Sequence, residues 1–311
     1  MNDVTDLNSL FERRLSYPDA DARDRLARLV GLDAQKDRVA KMLGILINPQ
    51  GIVDWARKHH PGATNLVRIV QRRPPLVVFA GDVGSGKTEL AETIGDAVAR
   101  QENIGITLFP LSLSTRGQGR VGEMTQLLGA AFDVAETEAR KLSARGRATG
   151  GIILLVDEAD ALAQSRESAQ MHHEDRAGVN AFIRGIDRLA TKQLPAAVIM
   201  CTNRLDALDP AVRRRAADIL PFERPNSEQR RTVVESTLGP AGVSARGIEA
   251  IVKATGPRTQ GSYGFAYSDL VQRYLPAVVL AAYPRGPVSE DQAIAIAESM
   301  MATPPFKEQR A

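Results

Sequence analysis

The sequence lacks most of the features that would place it in a specialised class. It has one cysteine, Cys201, so no internal disulfide can form and nothing ties the chain to an oxidising compartment. No stretch approaches the roughly 20 apolar residues of a membrane span. The N-terminus, MNDVTDLNSLFERRL, carries acids early and has no long apolar core, so it does not read as a signal peptide. Charge of one sign is also scarce: 40 basic against 37 acidic side chains leave +3. The basic groups are short and scattered (Arg72-Arg73, Arg213 to Arg215, Arg230-Arg231), whereas a nucleic-acid binder usually gathers them on one face. No internal repeat is visible. With 43% hydrophobic and 25% charged residues, a collagen-like or disordered chain is excluded. The expectation is a soluble, cytoplasmic globular protein, and 311 residues suffice for one or two domains.

Several apolar runs stand between turn residues: Leu76 to Ala80, Gly151 to Val156, Ala196 to Thr202 and, more weakly, Ile104 to Leu113. Such runs fit strands buried on both faces. Helical patterns lie between them at Lys87–Arg100, Val121–Leu142 and Ala177–Leu189. Strands alternating with helices predict an α/β fold with a parallel sheet. Beyond Pro221 and Pro225 no strong strand pattern is left. Asn226 or Ser227, then Ser244, then Ser289 with Gln292 can each cap a helix, and Tyr267–Tyr283 reads as another helix kinked at Pro276. The expected organisation is a short N-terminal segment (1–25), an α/β domain (26–222), a helical domain (223–303) and a tail (304–311), with both ends peripheral.

Gly81-Asp82-Val83-Gly84-Ser85-Gly86-Lys87-Thr88 fits G-x-x-x-x-G-K-[ST] in full, directly after a strand and at the start of a helix. The glycines let backbone N–H groups curl around phosphates, and the helix start adds partial positive charge. Residues Asp82 to Glu89 are therefore candidate nucleotide contacts, with Lys87 at the β- and γ-phosphates and the Thr88 hydroxyl on Mg²⁺. Some 70 residues on, an apolar strand ends in Asp157-Glu158. Ligands gather at the carboxyl ends of parallel strands. Asp157 is the candidate second Mg²⁺ ligand, and Glu158 the base that polarises the attacking water. The third strand ends in Asn203, which is placed either to orient that water or to sense the γ-phosphate. Cys201 on this strand reads as a small core residue. Trp55 is expected to pack its helix.

These elements, with CTNRLDALDPAVRRR and the helical C-terminal part, resemble an AAA+ ATPase: a P-loop domain followed by a small helical lid. Leu29 to Val39 resembles the segment that opens this family's module, where backbone near Gly31 and Leu32 lies against the adenine. The resemblance covers about residues 26–303. It implies ATP and Mg²⁺ as cofactors and a ring, usually a hexamer of identical chains. It also gives Arg213 to Arg215, otherwise an ordinary solvated run, a role: Arg214 and Arg215 match the arginine fingers that act on a neighbour's nucleotide. Ala177 to Asp187 resembles the remodelling branch. Arg273 to Tyr283 is similar to the pachytene-checkpoint ATPases, which partly unfold HORMA-domain proteins and whose bacterial relatives sit in CBASS anti-phage operons. The implied function is ATP-driven remodelling of a protein, with a HORMA-domain partner.

Departures from the family pattern bear on mechanism. In the central pore loop, Gly119, Arg120 and Val121 stand where an aromatic-hydrophobic pair is usual; Val121 is kept, and Arg120 replaces the aromatic. An arginine can grip a chain through its stem and by hydrogen bonds. Asp269 and Leu270 occupy the region where some relatives place a phosphate-sensing arginine. With only about 25 residues before the module, substrate choice is expected to come from the pore, the short N-terminus or an adaptor. The alternative is a nucleic-acid-associated AAA+ protein (loader, helicase or transposition regulator), motivated by the pI of about 9.1 and the glycine-arginine loop Arg116–Arg120. The missing basic stripe disfavours it, and no membrane partner is implied.

Overall fold

The computed structural model describes residues 10–11, 13–113, 123–144, 147–162, 173–206, 208–259 and 262–306. In chain order the first elements are β1 (Leu15–Tyr17), α1 (Ala20–Ala27), α2 (Asp33–Ile47), α3 (Pro49–His59), α4 (Thr64–Gln71), β2 (Leu76–Gly81), α5 (Lys87–Glu102) and β3 (Gly105–Ser112). Next come α6 (Glu123–Lys141), the short pair β4 (Ser143–Ala144) and β5 (Arg147–Ala148), β6 (Gly150–Asp157), a 3-10 turn (Ala159–Leu162), α7 (His173–Lys192), β7 (Ala196–Thr202), α8 (Pro210–Arg213) and β8 (Asp218–Phe222). The chain continues with α9 (Ser227–Leu238), α10 (Ala245–Ala254), a π-helical segment (Asp269–Tyr274), α11 (Leu275–Ala282) and α12 (Glu290–Ser299).

The chain divides into two compact units. The first comprises residues 1–28, 34–80 and 88–221; the second comprises 29–33, 81–87 and 222–311. The first unit carries a six-stranded sheet in the order β1-β3-β6-β7-β2-β8. Strands β3, β6, β7 and β2 run parallel to one another, with Phe109 opposite Leu154, Leu154 opposite Val198 and Val78 opposite Met200. The central residues of β2, β6 and β7 are apolar and buried without alternation, the pattern of strands covered on both faces. Side chains of Leu76, Val78, Leu154, Val156, Val198 and Met200 share one core cluster with Leu128, Ala131, Phe132 and Ala135 of α6 and Val179, Phe182 and Ile186 of α7. The spacing of three and four residues puts each set on one helix face, and the rings of Phe132 and Phe182 meet edge to face at 5.7 Å. Cys201 is buried, as the sequence suggests. Trp55 is not: it is 46% exposed, against the ring of His60 at 5.0 Å.

Residues 15–19 of the N-terminal segment are not peripheral. Leu15–Tyr17 adds an antiparallel strand at the β3 edge, Tyr17 is buried with its hydroxyl donating to the Glu92 carbonyl, and the Asp19 N–H donates to Asp96 at 2.8 Å.

The second unit has its own core of Val233, Val234, Leu238, Ile248, Ile251, Phe265, Leu270, Tyr274 and Val278, with Val30 packed on it. Helix starts follow the side chains named from sequence: Asn226 accepts from Gln229 N–H within a full capping box, Ser244 from Gly247 N–H, and Ser289 from Gln292 N–H. The stretch expected as one helix is helical without a break from Tyr267 to Ala282, with π-helical turns over Asp269–Tyr274. Those turns lie just before Pro276, whose missing N–H cannot complete the α ladder. Asp269 lies fully buried in the π segment. Its carboxylate accepts from Ala266 N–H at 2.9 Å, Thr303 N–H at 3.0 Å, the Thr303 hydroxyl at 2.5 Å and Arg273 at 2.6 Å. This fastens the strap after Ser299 to the unit. Burial pushes the Asp269 carboxyl up, but these hydrogen bonds together outweigh it and hold it below the ordinary aspartate value.

Candidate nucleotide-binding and hydrolysis residues

The loop Gly81–Lys87 belongs to the second unit. Its curl is set locally. The Asp82 carboxylate accepts from Val83 N–H at 2.8 Å, the Ser85 hydroxyl donates to the Asp82 carbonyl at 2.7 Å, and Gly84 and Gly86 take φ of +71° and +93°. Those angles favour glycine. Lys87 is buried, with Nζ donating to the carbonyls of Gly81 (3.0 Å) and Asp82 (2.7 Å). The ammonium is thus folded into the loop, where a bound phosphate would meet it.

Other parts of the second unit grip this loop. Ser268 N–H donates to the Gly84 carbonyl at 3.1 Å, and a Cβ at Gly84 would lie 1.9 Å from the Ser268 hydroxyl oxygen. Arg224 donates through Nε to Asp82 at 2.5 Å and through Nη1 to the Gly264 carbonyl at 2.8 Å, with its guanidinium 4.8 Å from the Tyr263 ring centre. Phe306 N–H reaches Asp82 at 3.4 Å. Gly31 and Leu32, named from sequence as the adenine-side backbone, are gathered here too. A Cβ at Gly86 would meet the Leu32 side chain at 3.3 Å, and the Gly31 carbonyl accepts from Gln229 at 3.2 Å. Tyr267, in the same unit, is pushed up to about 12 by burial and by the charge of Asp33.

The acids and the sensor candidate lie in the first unit, at the carboxyl ends of β6 and β7. Ser112 stands opposite Asp157 in the β3–β6 register. Asp157 accepts from the Glu158 N–H at 2.8 Å. Glu158 is exposed, has φ of +52°, and accepts from the Ser112 hydroxyl at 2.9 Å. A non-glycine residue at positive φ is uncommon and often marks a functional position. Asn203 is held by Asp160, which accepts from its N–H at 2.8 Å and its Nδ2 at 3.0 Å. Sequence reasoning passed over Ser112 and Asp160. Asp160 stood in plain view in the Asp157-Glu158-Ala159-Asp160 run, whereas Ser112 carries no local signal.

Thr88 and Glu89 open α5 in the first unit. The Glu89 carboxylate accepts both Nε (2.8 Å) and Nη2 (2.9 Å) of Arg25, which leaves its backbone N–H as the group able to serve a phosphate. Asp209 caps α8 by accepting from Ala211 N–H at 2.7 Å. After α8, Arg214 is exposed, while Arg215 forms a bidentate pair with Asp187 at 2.8 and 2.9 Å. That hydrogen bonding raises the Arg215 pKa above its ordinary value. The pore-loop candidates Gly119, Arg120 and Val121 lie outside the described residues.

The hard oxygen donors Thr88 and Asp157 suit Mg²⁺, and the glycine-built loop suits phosphate. Residues 77–224 match the ATPase family associated with various cellular activities (AAA). The chain belongs to the AAA family: it is an ATPase with an α/β P-loop fold. It is 62% identical over 307 residues to CD-NTase-associated protein 6 of Escherichia coli (strain MS 115-1), covering 98% of this chain and 99% of that one. Among solved structures it resembles a chain of the E. coli MS115-1 HORMA:CdnC:Trip13 complex (TM-score 0.89, 62% identity, 97% of this chain and 99% of that one). It also resembles a Rhizobiales Trip13 (TM-score 0.74, 56% identity, 95% and 100%). No helix among the described residues is long and apolar enough to cross a membrane.

Proposed function

We propose that this protein is an ATP-driven remodeller of a HORMA-domain protein in anti-phage signalling, working in the cytoplasm as a ring of identical chains. The carrying observation is the likeness, over nearly the whole of both chains, to a component of a complex that contains a HORMA protein and CdnC. In this reading the backbone N–H groups of Val83 to Lys87 and the Lys87 ammonium hold the ATP phosphates, and Gly31 and Leu32 flank the base. Thr88 and Asp157 hold Mg²⁺, which when bound neutralises charge on the β- and γ-phosphates. Asn203 orients a water. Glu158 takes a proton from that water as its oxygen attacks the γ-phosphorus, and the bond to the β–γ bridging oxygen breaks to give ADP and phosphate. Arg214 and Arg215 reach a neighbour's nucleotide. There they stabilise transition-state charge, a contribution of about 10³–10⁵ in rate where it has been measured. Gly119, Arg120 and Val121 grip the substrate.

The experiment is ATP turnover and HORMA capture by Glu158→Gln. Turnover should fall by on the order of 10² or more, while nucleotide binding persists and the variant holds the HORMA-domain protein in the presence of ATP. Wild-type turnover would refute the assignment of the base; loss of turnover with no nucleotide-dependent HORMA capture would refute the substrate.

A further inference from the structure

We propose that Asp160 is a positioning residue for hydrolysis: it fixes which end of the Asn203 amide faces the attacking water. The inference rests on Asn203 orienting that water, as proposed above. Asp160 sits on the 3-10 turn that follows β6, just after Asp157 and Glu158. Ala159 beside it is fully buried and anchors the turn. One carboxylate oxygen of Asp160 accepts from the Thr202 hydroxyl at 2.7 Å and from the Asn203 N–H at 2.8 Å; the other accepts from Asn203 Nδ2 at 3.0 Å. The Thr202 oxygen in turn accepts from Arg204 N–H at 3.0 Å, and Thr202 is buried. The end of β7 is thus clamped to the end of β6 by one side chain.

The chemistry of the clamp decides the amide's orientation. An ionised carboxylate only accepts hydrogen bonds, whereas an asparagine amide donates at one end and accepts at the other. Asn203 must therefore turn its NH₂ toward Asp160. Rotating the amide by half a turn would set its oxygen against a carboxylate oxygen, replacing a charge-assisted hydrogen bond with repulsion. The carbonyl oxygen is left facing away from Asp160, as an acceptor for an O–H of the water. Water placement is sensitive: misplacement by about 1 Å costs as much as 10²-fold in rate.

The test is Asp160→Asn. The replacement keeps the shape and the bonds from Thr202 and the Asn203 N–H, but it presents an NH₂ to Asn203 and so turns the amide around. Turnover should fall about 10- to 100-fold, with KM and nucleotide affinity changed by less than about two-fold. Adding Asp160→Asn to Asn203→Ala should cost nothing further, because the two act as a unit. Normal turnover in Asp160→Asn, beside an impaired Asn203→Ala, would overturn the positioning role. So would a loss of nucleotide affinity that parallels the loss of turnover, which would mark Asp160 as merely structural. Normal turnover in Asn203→Ala would instead sink the role given to Asn203, a failure separable from the first.

Discussion

Replacing Asp82 by asparagine removes one charge from a pair that solvent hardly reaches. The side chains of Arg224 and Asp82 are 13% and 18% exposed, and Nε stands 2.5 Å from Oδ2. The asparagine leaves the Arg224 guanidinium against Tyr263 and the Gly264 carbonyl without its counter-charge. Breaking a buried pair in this way costs about 3–5 kcal/mol. We take the lower end, about 3 kcal/mol, because the residual exposure lets water screen the orphaned charge and Arg224 Nη2 already has no hydrogen-bond partner among the described residues. Arg224→Met should cost a similar amount: it strands the Asp82 carboxylate and removes the Gly264 and Tyr263 contacts. The double variant buries no lone charge, so it should be little worse than either single change, giving a coupling of about 2–3 kcal/mol. Urea unfolding of the four proteins, followed by far-ultraviolet circular dichroism, measures this. Because Asp82 also accepts from Val83 N–H inside the phosphate loop, ATP affinity should fall in both single variants. Additive losses, with coupling under about 0.5 kcal/mol, would refute the claim that this pair locks the loop.

Two further outcomes are expected. Asp269→Asn should destabilise by about 3 kcal/mol at neutral pH, through loss of hydrogen bonds to a buried charge. Because the folded carboxyl titrates below its unfolded value, wild-type unfolding free energy should keep this advantage down to about pH 4 and lose it below, and an advantage that grew with acidity would contradict the reasoning. Arg215→Ala and Lys87→Ala proteins, each inactive alone, should recover some ATP turnover when mixed, since some neighbours then combine an intact phosphate loop with an intact Arg215; a mixture as inactive as its parts would argue against action in trans.

Much of this was legible from short-range pattern. The runs Leu76 to Ala80, Gly151 to Val156 and Ala196 to Thr202 are continuous apolar stretches bounded by turn residues, and they became β2, β6 and β7. The caps at Asn226, Ser244 and Ser289 act within three residues of themselves, so their helices started where expected. The phosphate loop was legible for the same reason: its glycine pattern is local, and bonds between Gly81 and Lys87 set its curl. What escaped depends on partners far along the chain. Leu15–Tyr17 is too short for a period-2 pattern and pairs with residues some 90 positions away. Residues 29–33 and 81–87 join the C-terminal unit through Leu32, Gln229, Ser268 and Arg224, contacts that no local periodicity announces. The orienting partners Ser112, Asp160 and Asp187 are ordinary polar residues until the sheet and helices bring them to Glu158, Asn203 and Arg215. Pro276 marks a disturbance of the helix in the sequence, but not that the disturbance takes the form of π-helical turns over Asp269–Tyr274.

The left-handed backbone at Glu158 sets stability against activity. An L-residue there costs roughly 1–2 kcal/mol, a penalty that asparagine or glycine largely escapes. Both replacements would relax the chain at the end of β6 and delete the carboxylate that faces Ser112. With the role proposed for Glu158, selection of variants for heat resistance alone would therefore drift at this position toward proteins that hold their fold better and lose ATP turnover. A thermostable form of this enzyme has to find its gains elsewhere and leave residue 158 strained.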